Sequence, residues 1–169
     1  LSIPKKDLAD FHVTFDNWFS EKSLYPKQVD DALDTLKKDG YLYEKDGAWW
    51  LATTQNGDDK ERVVIRANGE PTYFCSDIAY VPNKEKRGYN KLIDIWGADH
   101  HGYIIRIHSA MKFLGHDPED FEIMLLQMVT LLRDGQPVKM SKRTGQAVSL
   151  RELMEEVGTD AARYFFCAR

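Results

Sequence analysis

The stretch KLIDIWGADHHGYIIRIHSAMKFLG, Lys91 to Gly115, with FEIMLLQMVTLL from Phe121 to Leu132, decides the fold. KLIDIWGA, residues 91–98, is a short apolar run of the kind found in strands buried on both faces. HGYIIRIHSAMKFLG reads as a helix ending at Gly115, a residue suited to the left-handed position past a helix. Ile104, Ile105, His108, Met111 and Phe113 or Leu114 supply its predicted inner side. FEIMLLQMVTLL supplies a second strand. Strand, helix, strand is a βαβ unit, with a right-handed crossover and a parallel sheet. The expected class is a doubly wound α/β fold, whose ligand lies beyond the carboxyl ends of the strands.

Upstream, RVVIRA (62–67) and PTYFCS (71–76) read as two strands joined by a turn at Asn68-Gly69. The polar run TQNGDDKER, residues 54–62, marks a boundary. Before it, YPKQVDDALDTLKKDG places Val29, Leu33 and Leu36 on one helical face and ends at Gly40. YLYEKDGAWWLAT follows as a hairpin turning at Asp46-Gly47. Downstream, SLRELMEEVG opens with a capping box, Ser149 and Glu152, and closes at Gly158. TDAARYFF begins another helix at Thr159. The expected organisation is therefore 1–61, 62–158 and 159–169. The chain begins at Leu1 and stops inside a predicted helix, which reads as a piece of a longer protein.

The 169 residues carry a formal charge of −4, which excludes a generally basic nucleic-acid coat. Any polyanion must bind at a local site. Two widely spaced cysteines, Cys75 and Cys167, suggest reduced thiols in a cytosolic protein. No apolar run approaches membrane-spanning length.

Two segments could carry chemistry. GADHH ends the first strand of the βαβ unit. Gly97 permits close approach to the backbone, Asp99 can accept hydrogen bonds from ribose hydroxyls, and His100 and His101 can donate or accept. The same residues also read as a helix cap with two partly exposed histidines. A metal site from Asp99, His101 and His108 matches no zinc spacing, and no tightly bound metal is expected. DGQPVKMSKRTG, residues 134–145, makes a tight turn and then gathers Lys139, Lys142 and Arg143 beside Ser141, Thr144 and Gly145. Ammonium groups, hydroxyls and backbone N–H groups are the donors that surround a triphosphate. The plainer reading is a solvated basic loop.

KMSKR, Lys139 to Arg143, resembles the KMSKS signature of class I aminoacyl-tRNA synthetases, with Arg143 in place of the final serine. GADHHGY resembles the ribose-binding segment of that class. PTYFCSDIAY, GADHHGY, KMSKRTG and VGTDAARYFF, in this order, resemble the bacterial arginyl-tRNA synthetase family from about Phe11 onward. The resemblance implies the second half of a Rossmann-like catalytic domain at 62–158, preceded by a small α+β connective insertion at 1–61. Residues 159–169 would begin the helical stem-contact and anticodon-binding region. It implies ATP-dependent activation of L-arginine and transfer to tRNA(Arg). ATP, with Mg2+, would be bound by Gly97, Asp99, His100, Lys139, Met140, Ser141 and Lys142, with Lys139 and Lys142 catalytic. Arginine would be held by Tyr73, Asp77 and His100.

The family's other signature, His-Ile-Gly-His, is not among these residues, so the isolated piece is expected to be inactive. Its parent is expected to be a cytoplasmic monomer with no membrane contact. On residues alone, Asp77 reads as a helix N-cap before Ile78, and Tyr80 and Tyr103 as packing residues. Trp49 and Trp50 read as packing with a tRNA contact in reach. Two rivals stand beside this reading: a winged-helix nucleic-acid module, and another class I synthetase of the cysteine or glutamine type. Against the first, its helix carries Asp30, Asp31 and Asp34, which phosphate repels.

Overall fold

The computed structural model describes residues 2–127, 129–138 and 148–168. In chain order the elements are α1 (Ser2–Asp10), α2 (Lys27–Lys38), β1 (Leu42–Lys45), β2 (Ala48–Leu51) and β3 (Arg62–Ile65). Then come α3 (Tyr73–Glu85), β4 (Leu92–Gly97), α4 (Ile104–Phe113), β5 (Phe121–Leu126), β6 (Leu132–Arg133), β7 (Gln136–Pro137), α5 (Leu150–Val157) and α6 (Thr159–Cys167). They form two compact units, Phe19–Gln127 and Leu1–Trp18 with Met128–Arg169.

In the larger unit, β4 and β5 pair in parallel from Leu92↔Phe121 to Gly97↔Leu126, with α4 as the crossover. This is the expected βαβ unit. The long run from Phe121 gives a strand only to Leu126, because β4 offers no partner beyond Gly97. The fully buried side of α4 is Ile107, Ala110, Met111 and Phe113, while Ile104, Ile105 and His108 are half-buried. Burial of β4 on both faces is not observed. Leu92 and Phe121 join the core, but Ile93, Ile95, Met124 and Leu126 stay exposed on the opposite face. Among the described residues only the first face is covered by helices.

The antiparallel sheet runs β1-β2-β3. Asp46 (φ 52°) and Gly47 (φ 73°) make the two-residue turn that this pair of residues favours between twisted strands. The turn at Asn68-Gly69 also forms, but pairing stops after one bridge, Ile65↔Pro71. PTYFCS is therefore not a strand. From Tyr73 the chain is α3, whose Phe74, Ile78 and Val81 enter the core.

The boundary read near residue 61 falls inside this sheet, between β2 and β3, and inside one core. Leu33, Leu36 and Leu51 belong to the same buried cluster as Ile78, Met111 and Phe121. The outer face of α2 exposes Asp30, Asp31 and Asp34, carboxylates that repel phosphate. Trp49 and Trp50 are both half-buried, with the Lys37 ammonium 4.6 Å from the Trp49 ring centroid.

In the smaller unit, Ser149 and Glu152 form the expected capping box at the start of α5. Arg151 bonds Asp7 (Nε to Oδ1, 2.9 Å) and Asp10 (2.6 Å) of α1. Arg163 on α6 donates to the Phe11 carbonyl at 2.7 Å. Asp134 (φ 51°) and Gly135 (φ 74°) turn the β6–β7 hairpin. Lys139, Met140, Ser141, Lys142, Arg143, Thr144 and Gly145 lie outside the described residues.

A buried clip fastens β3 to the preceding loop. Arg62 donates from Nε to Asp58 Oδ2 at 2.7 Å and from Nη2 to Oδ1, with the Asp58 side chain only 2% exposed. The guanidinium, opposed by burial, holds the Asp58 carboxyl well below the usual carboxylate range. A folded-state pKa depressed in this way stabilises above the unfolded value, near pH 4, and is lost as pH falls below it. Asp58→Ala is expected to cost roughly 3 kcal/mol at pH 7, because the largely buried Arg62 keeps only the exposed Asp59 carboxylate as a partner. Urea midpoints of the two proteins should differ at pH 7 and converge as the pH drops below about 4. Equal midpoints at pH 7 would mean the clip contributes nothing.

Candidate functional site

A helix presents residues four and seven apart on one stripe. In α3 that stripe is Tyr73, Asp77, Tyr80 and Lys84, flanking the apolar face already fixed in the core. It forms one wall of a cavity of about 750 Å³. The opposite wall is β4, through Asp94, Trp96 and Gly97, and the short 3-10 turn Ala98–Tyr103 closes the end with His100 and Tyr103.

The N-cap reading of Asp77 is not what is found. Thr72 precedes the helix, with its hydroxyl donating to the Val63 and Val64 carbonyls at 3.1 Å, and Asp77 lies one turn inside. Its carboxylate therefore faces the cavity, where Oδ2 accepts the Tyr103 hydroxyl at 2.6 Å. Tyr103 is thus more than a packing residue. Its ring sits edge-on to Phe74 and Trp96, each at 5.7 Å, with the Arg106 guanidinium 5.2 Å from its centroid.

Burial raises the Asp77 carboxyl above its usual value, opposed chiefly by the hydrogen bond from Tyr103. Burial, and then Asp77, pushes the Tyr103 hydroxyl far up, so it stays a proton donor. Lys84, the nearest cation on the stripe, is already engaged: Nζ lies 2.5 Å from Asp94 Oδ1 and 4.7 Å from the Tyr80 and Phe121 ring centroids. Among the described residues no Lys, Arg or His lies in ion-pair range of Asp77. A desolvated carboxylate without a counter-ion, between aromatic walls, suits a cationic ligand with a flat apolar face.

Of the residues singled out in the sequence, Tyr73, Asp77, Gly97 and His100 line this one cavity. Tyr73 stands at its mouth, 82% exposed. Asp99 and His101 are exposed beside it, with Asp99 3.7 Å from His100. Burial lowers the His108 imidazole, and among the described residues no three His, Cys, Asp or Glu side chains gather as a metal site. The spacing 73, 77, 80, 84 was a sequence signal for the helical stripe. The Lys84–Asp94 pair, across elements, had no local signal.

Comparisons with known proteins agree with one another. Residues 4–165 match the family model described as tRNA synthetases class I (R), catalytic domain. An arginine–tRNA ligase of Geobacillus kaustophilus is 59% identical over 166 residues, covering 98% of this chain and 30% of that protein. The arginine–tRNA ligase of Oceanobacillus iheyensis is 55% identical over the same share of each. The chain thus spans 30% of the length of these relatives. A Campylobacter jejuni crystal structure, provisionally described as an arginyl tRNA synthetase, superposes with TM-score 0.87 at 45% identity, over 98% of this chain and 36% of that one. Arginyl-tRNA synthetase of Thermus thermophilus shares the fold at TM-score 0.67 and 18% identity, over 89% of this chain and 31% of that one.

The Lys84–Asp94 pair gives a test of the cavity's electrostatics. Lys84→Met removes the cation from a carboxylate that is only 24% exposed, and is expected to destabilise the fold by roughly 3 kcal/mol. Adding Asp94→Leu should recover most of that loss in thermal unfolding, since no lone charge then remains. Additive losses in the double variant would show that the two side chains act independently.

Proposed function

The chain belongs to the catalytic-domain family of class I arginyl-tRNA synthetases, and on that premise we propose that it is the amino-acid-holding part of an arginine–tRNA ligase. The observation that carries this reading is Asp77: a partly buried carboxylate, without a cationic partner among the described residues, on an aromatic-walled cavity. A guanidinium keeps its charge at any physiological pH and prefers a planar bidentate acceptor. Asp77 meets the arginine side chain, with Tyr73 and His100 as further contacts. Gly97, Asp99 and His100 serve the ribose of ATP.

In the activation step the arginine carboxylate attacks the α-phosphorus of ATP and pyrophosphate leaves. The nucleophile is already an anion, so no protein base is needed. What the protein must supply is alignment and positive charge where pyrophosphate develops. The family resemblance assigns that charge to Lys139 and Lys142, with Met140 and Ser141 beside them. Mg2+ enters with the ATP phosphates. Transfer of the arginyl group to tRNA(Arg) follows in the parent enzyme, which we read as a cytoplasmic monomer. No helix among the described residues is long and apolar enough to cross a membrane. The naming of 1–61 as connective insertion, 62–158 as catalytic half and 159–169 as stem-contact start belongs to the same proposal, as segments of the family's sequence and not as separate folding units.

Asp77→Asn in the full-length enzyme keeps the shape and loses the charge. Removing one partner of such a buried pair costs on the order of 3 kcal/mol, so KM for arginine should rise about a hundredfold while KM for ATP hardly moves. Steady-state kinetics at saturating ATP and tRNA decide it, and near-normal arginine kinetics would remove Asp77 from the pocket.

Lys142→Ala tests the other half. Its charge is needed where the leaving group develops, so the activation rate should fall about a hundredfold with arginine affinity retained. Loss of arginine affinity at a normal rate would contradict the assignment.

A further inference from the structure

Asp77 is held at one oxygen only. Oδ2 accepts the Tyr103 hydroxyl, and Oδ1 has no hydrogen bond among the described residues. A carboxylate turns freely about its last torsion, which has broad, nearly two-fold wells. One short hydrogen bond from a fixed donor removes much of that freedom, and Tyr103 is such a donor. Phe74 from α3, Trp96 from β4 and Arg106 from α4 enclose its ring on three sides. The hydroxyl therefore reaches Asp77 from a ring packed among three neighbours.

We propose that Tyr103 is a positioning residue for amino-acid selection, its hydroxyl fixing the Asp77 carboxylate so that Oδ1 and the outer edge of the group face a planar guanidinium. This rests on the reading of the cavity as the arginine pocket. A freely turning carboxylate would still attract a cation, but it would lose the planar match that distinguishes a guanidinium from the point charge of lysine. A phenol suits this task because it donates one hydrogen bond and adds no positive charge. An arginine or lysine at the same place would neutralise the anion that the ligand needs.

The groups facing Asp77 from the surrounding elements are few. Glu21 comes from the 3-10 turn Glu21–Leu24, Lys84 from α3 itself, Asp94 from β4, and His100 and Tyr103 from the turn after β4. Arg106 on α4 lies behind the Tyr103 ring. Tyr103→Phe leaves every one of these except the hydroxyl. A donor that favours the charged carboxylate is then gone, so the group protonates at a higher pH than before.

The experiment uses the full-length enzyme and three variants: Tyr103→Phe, Asp77→Asn and the pair together. Tyr103→Phe should raise KM for arginine about fivefold, the scale of one lost hydrogen bond to a charged acceptor, with a much smaller change in kcat and in KM for ATP. The acidic limb of kcat/KM for arginine should move to higher pH. Discrimination between arginine and lysine in the activation reaction should narrow, and the Tyr103→Phe effect should vanish in the Asp77→Asn background. If Asp77→Asn cripples arginine use while Tyr103→Phe keeps the wild-type KM and limb, Tyr103 merely packs and the inference is overturned. Equal losses in kcat and in ATP use by Tyr103→Phe would also overturn it, since they indicate general distortion. Normal arginine use by Asp77→Asn would instead overturn the pocket reading beneath it.

Discussion

Two parallel strands cannot be joined by a tight turn, and most of the site follows from that constraint. After Gly97 the chain must travel back along the sheet before Phe121 can pair with Leu92. α4 makes that return, and its Ile107, Ala110 and Met111 must be buried for it to lie there. Between the end of β4 and the start of α4 the chain needs a turn, Ala98–Tyr103, that projects past the sheet edge. Asp99 and His100 are exposed there, and the last residue of the turn, Tyr103, comes back against α3. The carboxyl end of the strand pair therefore acquires polar groups and a concave wall by the geometry of the crossover alone.

α3 supplies the rest by a similar economy of placement. With Phe74, Ile78 and Val81 locked in the core, the stripe at 73, 77, 80 and 84 turns to the cavity, with Tyr73 at its open mouth. Within that stripe charge is divided unequally. Lys84 is matched by Asp94, while Asp77 meets only a neutral hydroxyl. At an effective dielectric near 20, an opposite charge at 4 Å is worth about 4 kcal/mol, so the unmatched carboxylate dominates what the cavity attracts.

The parts of this architecture legible in the sequence are those with local causes. Asp46-Gly47 and Asp134-Gly135 each need two positive φ angles, the Ser149–Glu152 box needs only a three-residue spacing, and the β4–α4–β5 unit announces itself by a change of period. Pro71 to Ser76 reads as a strand because Thr72, Tyr73 and Phe74 favour strands locally, whereas packing of Phe74 and Ile78 into the shared core decides for a helix. A strand ending at Ser76 would also make Asp77 a cap, which α3 from Tyr73 rules out. Composition could not show which face of β4 is covered, since Ile93 and Ile95 are as apolar as Leu92. It could not show the unity of the core either, because Leu33, Leu51 and Met111 meet across a polar loop that looked like a boundary. Gly97 and His100 stand out as the polar end of an apolar strand, Tyr73 and Asp77 only through family likeness, and the four line one cavity. The Tyr103–Asp77 contact has no sequence signal, because the two residues lie 26 apart with no pattern to join them.

On the proposed reading of the cavity, that pairing resolves a conflict inherent in any pocket for a cation. The carboxylate must be desolvated for a guanidinium to bind it strongly, yet desolvation favours the protonated form and so weakens the same interaction. A neighbouring lysine or arginine would restore the charge but would also occupy it, as Lys84 does for Asp94. More water would restore it too, at the expense of the low-dielectric surroundings that give the contact its strength. A buried neutral donor is the remaining solution: it stabilises the anion through one oxygen and leaves net charge, and the other oxygen, to the ligand. For the donor to stay neutral its own proton must be hard to remove, which burial of the Tyr103 ring beside an anion ensures. The same exclusion of water thus keeps the proton on Tyr103 and raises the Asp77 carboxyl, and the hydrogen bond between them offsets part of that rise.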